Sequence, residues 1–194
     1  MPARVGLFGG TFDPVHRGHV SIAESFLNSG FIDELWVLLT PFPPHKQGNG
    51  HTLYELRHRM LKAAFAGMES VQILTVENEL PKPSFTINTI RHLKDKYPDK
   101  EFHFCMGEDS LTGFHTWKFH EDILEEAKLL AAERPEYDRS LVSEYILEKT
   151  TFVTHEPLSI SSSEIKERIS NKESIETFLP DKVLRIIVDE KIYE

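Results

Sequence analysis

Leu35-Trp36-Val37-Leu38-Leu39 is an unbroken apolar run of strand length, and it limits the fold more than any other segment. A strand with one face in water alternates apolar and polar residues. A run without alternation has to be covered on both faces, as in a parallel sheet between two helical layers. Apolar-rich runs of similar length recur at Ala3–Phe8, Val71–Val76, Phe102–Met106 and Leu129–Ala132. Helical spacing lies between them, over Val20–Phe26 (stopping at Asn28-Ser29-Gly30), Leu53–Ala66, Thr86–Tyr97 and Asp122–Ala127. Tyr145–Val153 reads equally as a helix end or a strand, and two late helices are predicted over Ser162–Ser170 and Pro180–Asp189. Strands alternating with helices predict an α/β fold, a doubly wound parallel sheet with helices on both faces. No repeat or linker interrupts the pattern, so residues 1–194 are read as a single domain.

Composition removes several function classes. With 40 % hydrophobic and 27 % charged residues the chain is neither collagen-like nor low-complexity. Cys105 is the sole cysteine, so no internal disulfide forms, and a cytoplasmic home is expected. The N-terminus lacks the long apolar region of a signal peptide, and no stretch approaches the ~20 apolar residues of a membrane span. A net charge of −9 argues against a nucleic-acid partner, which would need a broad cationic surface. A locally positive cleft for a small phosphorylated ligand stays compatible with that charge. So does a homo-oligomer, on which the sequence is silent.

In open parallel sheets ligands bind beyond the carboxyl ends of the strands. The loops after Phe8, Leu39, Val76, Met106 and Ala132 are therefore expected along one edge. The first of them reads Gly9-Gly10-Thr11-Phe12-Asp13-Pro14-Val15-His16-Arg17-Gly18-His19. Gly9 and Gly10 let the backbone turn and approach a ligand. The following helix presents its N-terminal N–H groups to an anion. His16 and His19 fall one helical turn apart on one face, and Gly18 between them leaves room for a bulky group. The string is neither a Walker loop nor a dinucleotide fingerprint. Two histidines without carboxylate or cysteine companions make a poor metal site, and the other eight histidines are scattered. No protein-held metal is expected.

The Gly-Gly-Thr-Phe-Asp-Pro-x-His-x-Gly-His string resembles the first motif of the nucleotidylyltransferase superfamily. The superfamily's second motif is matched by Ile160-Ser161-Ser162-Ser163-Glu164-Ile165-Lys166. Within the superfamily the chain resembles the bacterial nicotinate-nucleotide adenylyltransferases from Val5 to about Tyr193. Pro43-Pro44-His45-Lys46, Pro83-Ser84-Phe85-Thr86, Met106-Gly107-Glu108-Asp109-Ser110, Phe114-His115-Thr116-Trp117 and Glu133-Arg134-Pro135 carry that likeness. Two positions depart from it, since Lys166 stands where arginine is usual and Glu136 where glycine is frequent. Lysine keeps the charge and loses the bidentate fork.

The resemblance implies transfer of the adenylyl group of ATP to nicotinate mononucleotide, giving deamido-NAD and pyrophosphate by direct in-line attack. Both substrates are polyanions, so the protein's work is positioning and charge stabilisation. His16, His19 and Lys46 are implied as catalytic groups on the phosphates. Gly9, Gly10, Thr11, Phe12, Gly18, Gly107, Asp109, Arg134, Ile160, Ser161, Ser162 and Lys166 are implied around ATP. His45, Thr86 and Trp117 are implied around the mononucleotide, with Trp117 stacking on the pyridine and Lys118 nearby. Mg2+ is expected with ATP, held by phosphates and water. Taken alone, several residues have a plainer role: Ser161 or Asp109 as a helix cap, Trp117 as core, Lys46 as a solvated lysine. Two rival functions remain at this stage. One is a sibling transferase for phosphopantetheine, glycerol phosphate or nicotinamide mononucleotide; the other is a nucleotide sensor without turnover.

Overall fold

The computed structural model describes residues 2–41, 52–135 and 137–193. Six strands form one sheet: β1 (Ala3–Gly10), β2 (Glu34–Leu39), β3 (Val71–Leu74), β4 (Lys100–Gly107), β5 (Lys128–Ala132) and β6 (Thr150–Val153). Their order is β3-β2-β1-β4-β5-β6 and every pairing is parallel. The helices are α1 (Arg17–Asn28), α2 (Tyr54–Ala64), α3 (Thr86–Lys96), α4 (Leu111–Phe114), α5 (His120–Glu126), α6 (Glu144–Glu148), α7 (Ser162–Ser170) and α8 (Asp181–Asp189).

The apolar run of β2 is divided between two cores. Leu35, Val37 and Leu39 point into one, with Ala23 and Phe26 of α1, Met60 and Leu61 of α2, Ile165 of α7, and Val183 and Ile187 of α8. Trp36 and Leu38 point into the other, with Ile87, Ile90 and Leu93 of α3, Phe114 of α4, Ile123 of α5 and Ile146 of α6. Both faces of β2 are therefore dry, which is the physical reason for the missing alternation.

Two segments differ from the sequence reading. β3 stops at Leu74 rather than Val76, because Val76–Asn78 curls into a 3-10 turn that buries Glu77. The ambiguous Tyr145–Val153 stretch is both things at once, the end of α6 followed by β6. The predicted loop over Thr40–Thr52 falls mostly in residues 42–51, outside the described residues.

Candidate functional site

The strand order turns at β1, which pairs with β2 on one side and β4 on the other. A cavity of about 680 Å3 opens there, beyond the carboxyl ends of the strands. Gly9, Gly10, Thr11, Phe12, His16, Gly18 and His19 enter it from the loop after β1. Gly107 and Asp109 enter after β4, Arg134 after β5, and Ile160, Ser161 and Ser162 from the start of α7. Thr86 at the start of α3 and Trp117 between α4 and α5 complete the set.

Close packing dictates two of the glycines. A Cβ on Gly10 would lie 2.8 Å from the ring of Phe12, itself at φ 48 in the left-handed region. A Cβ on Gly18 would sit 3.0 Å from the His16 ring and 3.2 Å from Ile160. The room left by Gly18 is thus taken up by the protein's own histidine rather than left for a bulky ligand group.

The two histidines act as a pair. Their ring centroids are 3.7 Å apart. The backbone N–H of His16 donates to Nδ1 of His19 at 3.2 Å, which leaves the His19 ring proton on Nε2, a donor. Burial, with the Arg134 cation nearby, pushes His16 down to about 4, so it is neutral at neutral pH. Its Nδ1 is buried without a hydrogen-bond partner among the described residues, a polar atom left for a ligand to satisfy.

Helix starts supply the backbone donors. Ser161 caps α7 by accepting from the Glu164 N–H at 3.1 Å, and Ser162 Oγ donates to the Pro14 carbonyl at 2.9 Å. The cap role and the cavity position of Ser161 therefore coexist. Asp109 lies in a 3-10 turn (Glu108–Ser110) and faces Arg134 at 3.5 Å. The neighbouring Glu108 is fully buried and accepts from the Arg134 backbone N–H and from Arg139, both at 2.6 Å, tying the loops after β4 and β5 together. Trp117 packs edge-on against Phe104, with centroids 5.9 Å apart, while still lining the cavity.

Lys166 is placed differently from its expected role. It does not line the cavity; its ammonium is 2.5 Å from Asp13, one turn beyond the α7 N-terminus. The carboxylate of Asp13 fixes it there, helped by the Tyr193 hydroxyl on the other oxygen at 2.6 Å. His45 and Lys46 lie outside the described residues.

Three residues around the site were not singled out by sequence, Arg57, Glu77 and His155, while Lys118 was expected near the mononucleotide. Arg57, 1 % exposed, donates to the carbonyls of Thr11, Thr40, Pro41 and Thr52, gripping both flanks of segment 42–51. Glu77 lines the cavity and accepts from Thr89 and Ser84 hydroxyls, and burial pushes its carboxyl up. Lys118, 4.8 Å from the Phe85 ring centroid, and His155 also line it. Arg57, Glu77 and His155 carry no sequence signal, being ordinary residues whose burial is set by tertiary contacts.

A family model described as cytidylyltransferase-like matches residues 7–168. A Bacillus licheniformis protein named as a probable nicotinate-nucleotide adenylyltransferase is 35 % identical over 98 % of each chain. The nicotinate-nucleotide adenylyltransferase of Bacillus subtilis is 32 % identical, again over 98 % of each. Among solved structures, Plasmodium falciparum nicotinic acid mononucleotide adenylyltransferase complexed with APC superposes with a TM-score of 0.81 at 20 % identity, over 98 % of this chain and 97 % of that one. At that identity it speaks for the fold.

Proposed function

Because the chain belongs to the cytidylyltransferase-like family, and within it to the nicotinate-nucleotide adenylyltransferases, we propose that this cavity joins ATP to nicotinate mononucleotide. It transfers the adenylyl group of ATP, giving deamido-NAD and pyrophosphate. One observation carries the site assignment: both histidines of the first loop, the start of α7 and the start of α3 open on one cavity.

The 5′-phosphate of the mononucleotide is ionised at neutral pH and needs no base to activate it. Its oxygen attacks the α-phosphorus of ATP, that bond forms, and the bond to the bridging oxygen of pyrophosphate breaks in line. Charge grows on the phosphoryl oxygens. His19 meets it with Nε2–H, and the first N–H groups of α1 and α7 meet it with aligned dipoles. His16, neutral and packed on His19, sets the position of that donor. Lys46 and His45 are proposed to approach the phosphates from segment 42–51. Mg2+ arrives bound to the triphosphate as part of the substrate; no group of three or more metal-ligating side chains exists among the described residues to hold it.

The acceptor lies towards α3, α4 and α5. The N–H groups at the start of α3, beside Thr86, suit the nicotinate carboxylate, since a helix N-terminus favours an anion over a neutral amide. Lys118 adds positive charge at that end, and the Trp117 face stacks on the pyridine. Asp109 takes ribose hydroxyls of ATP, with Arg134 along the nucleoside. A cytoplasmic setting fits the buried free thiol of Cys105, and no helix among the described residues is long and apolar enough to cross a membrane.

Pyrophosphate release with Mg-ATP tests the reading, using nicotinate mononucleotide, nicotinamide mononucleotide and phosphopantetheine in turn. A preference for the first is expected. Release only with another acceptor, or ATP binding without any release, would overturn it.

A further inference from the structure

Among the ionisable wall residues that the reaction leaves unused is His155, just past the end of β6 and 8 % exposed. We propose that His155 reads the 6-amino group of adenine through Nε2 and thereby selects ATP over GTP. The inference rests on the reading above that ATP occupies the β4–β6 side of the cavity.

Hydrogen bonding around α1 fixes the tautomer. Nδ1 of His155 lies 2.9 Å from Ser25 Oγ. That hydroxyl has one proton and a second contact, the Ser21 carbonyl at 3.0 Å. A carbonyl only accepts, so the hydroxyl proton goes to Ser21 and the Ser25 oxygen accepts from Nδ1–H of His155. The ring lone pair is therefore on Nε2, which has no protein hydrogen bond among the described residues. Ser25 lies outside the cavity that His155 lines, so it holds the ring from behind. Burial and the Arg134 cation both push His155 below the usual imidazole range, keeping it a neutral acceptor at neutral pH.

Position argues for the base rather than the sugar or phosphates. Outward from the phosphate site at β1, the strand ends present Gly107 and Asp109 after β4, Arg134 after β5 and His155 after β6. Adjacent strands are about 4.8 Å apart, so His155 stands three spacings, about 14 Å, from the phosphate loop. That is the far end of an extended nucleotide. Ile22, Pro157, Leu158 and Ile160 line the same cavity and offer apolar walls to a flat ring. Adenine presents an amino donor at position 6 and guanine presents a carbonyl acceptor there. A lone pair on Nε2 matches the first and repels the second.

The test compares ATP with purine riboside 5′-triphosphate, which lacks only the 6-amino group, and with GTP, at saturating nicotinate mononucleotide. Wild type is expected to lose roughly tenfold in kcat/KM when the amino group is removed, the scale of one hydrogen bond. His155→Leu is expected to treat the two nucleotides alike within about twofold and to keep its KM for nicotinate mononucleotide. Ser25→Ala leaves the cavity wall intact and serves if the leucine variant does not fold. It frees the ring proton to move to Nε2, and discrimination should shrink to about threefold. Equal losses in wild type and both variants would overturn the proposal. The same nucleotide pair measured by calorimetric binding separates it from the activity. Absent turnover with ATP would sink the reaction, while an unchanged binding ratio in His155→Leu would sink His155 alone.

Discussion

The ammonium of Lys166 lies 2.5 Å from the carboxylate of Asp13, joining α7 to the loop after β1. Asp13 also accepts from the Tyr193 hydroxyl and from the Thr52 backbone N–H. Tyr193, Lys166 of the second motif and Thr52 thus converge on one buried carboxylate, which is 4 % exposed. The pair ties Lys166 to the loop after β1 and keeps it off the cavity wall.

Lys166→Met should therefore cost stability more than substrate affinity. Losing a fully buried ion pair costs roughly 3–5 kcal/mol, and the 30 % exposure of Lys166 brings the expectation nearer to about 2 kcal/mol. Urea unfolding measures it. The KM for ATP should move by less than about threefold. A tenfold rise with unchanged stability would put Lys166 on the phosphates after all.

The same carboxylate predicts an acid limb. Burial raises the Asp13 pKa, but hydrogen bonds from Lys166, Thr52 and Tyr193 outweigh it and hold the group at about 2, against an ordinary 3.8. As pH falls the unfolded chain takes up the proton first. The contribution is complete above about pH 5 and is lost as pH drops through 3.8 towards 2, by on the order of 2 kcal/mol. Asp13→Asn should be less stable than wild type at pH 6, with the gap narrowing to about half near pH 3 and closing only below pH 2. A constant gap across that range would show that Asp13 does not titrate as stated.

His19→Ala removes the Nε2 donor while leaving the α1 backbone in place. A fall in kcat of about a hundredfold is expected from losing one preorganised donor, read as pyrophosphate release at saturating substrates. A change below threefold would take His19 out of the transition state.

Gly18→Ala sets two effects against each other. Alanine favours a helix over glycine by about 1 kcal/mol. The new Cβ meets the His16 ring at 3.0 Å and displaces it by a few tenths of an ångström. Stability should stay within about 1 kcal/mol of wild type while kcat falls by roughly tenfold, since small misplacements at a positioned site are expensive. Thermal melts and turnover together check it; full activity would mean the His16 position is unimportant.

What could be read from sequence follows from where each signal is stored. Leu35–Leu39 announced a doubly covered strand because its own residues encode burial on both faces, and the His16–Gly18–His19 spacing announced a helix start at a strand end. For Lys166 the sequence displays a charge at the second motif and conceals its partner in the fold, which stands 153 positions away at Asp13. Arg57 sits without any motif inside the predicted helix Leu53–Ala66; only the folded chain brings four carbonyls around it. Glu77 and His155 were invisible for the same reason. Tyr145–Val153 stayed ambiguous because a helix end and a strand share it without a glycine or proline to mark the change.

The division of the molecule into two helical layers has a consequence for how such an enzyme changes over time. In the proposed reading the acceptor is held from the layer of α3, α4 and α5, and ATP from α1, α7 and the loops after β4, β5 and β6. The two sockets meet only where the strand ends bring the phosphates together. Drift in one layer can then retune the acceptor without disturbing the grip on ATP, so a single ancestral sheet is able to serve many adenylyl acceptors by rewriting one side of itself.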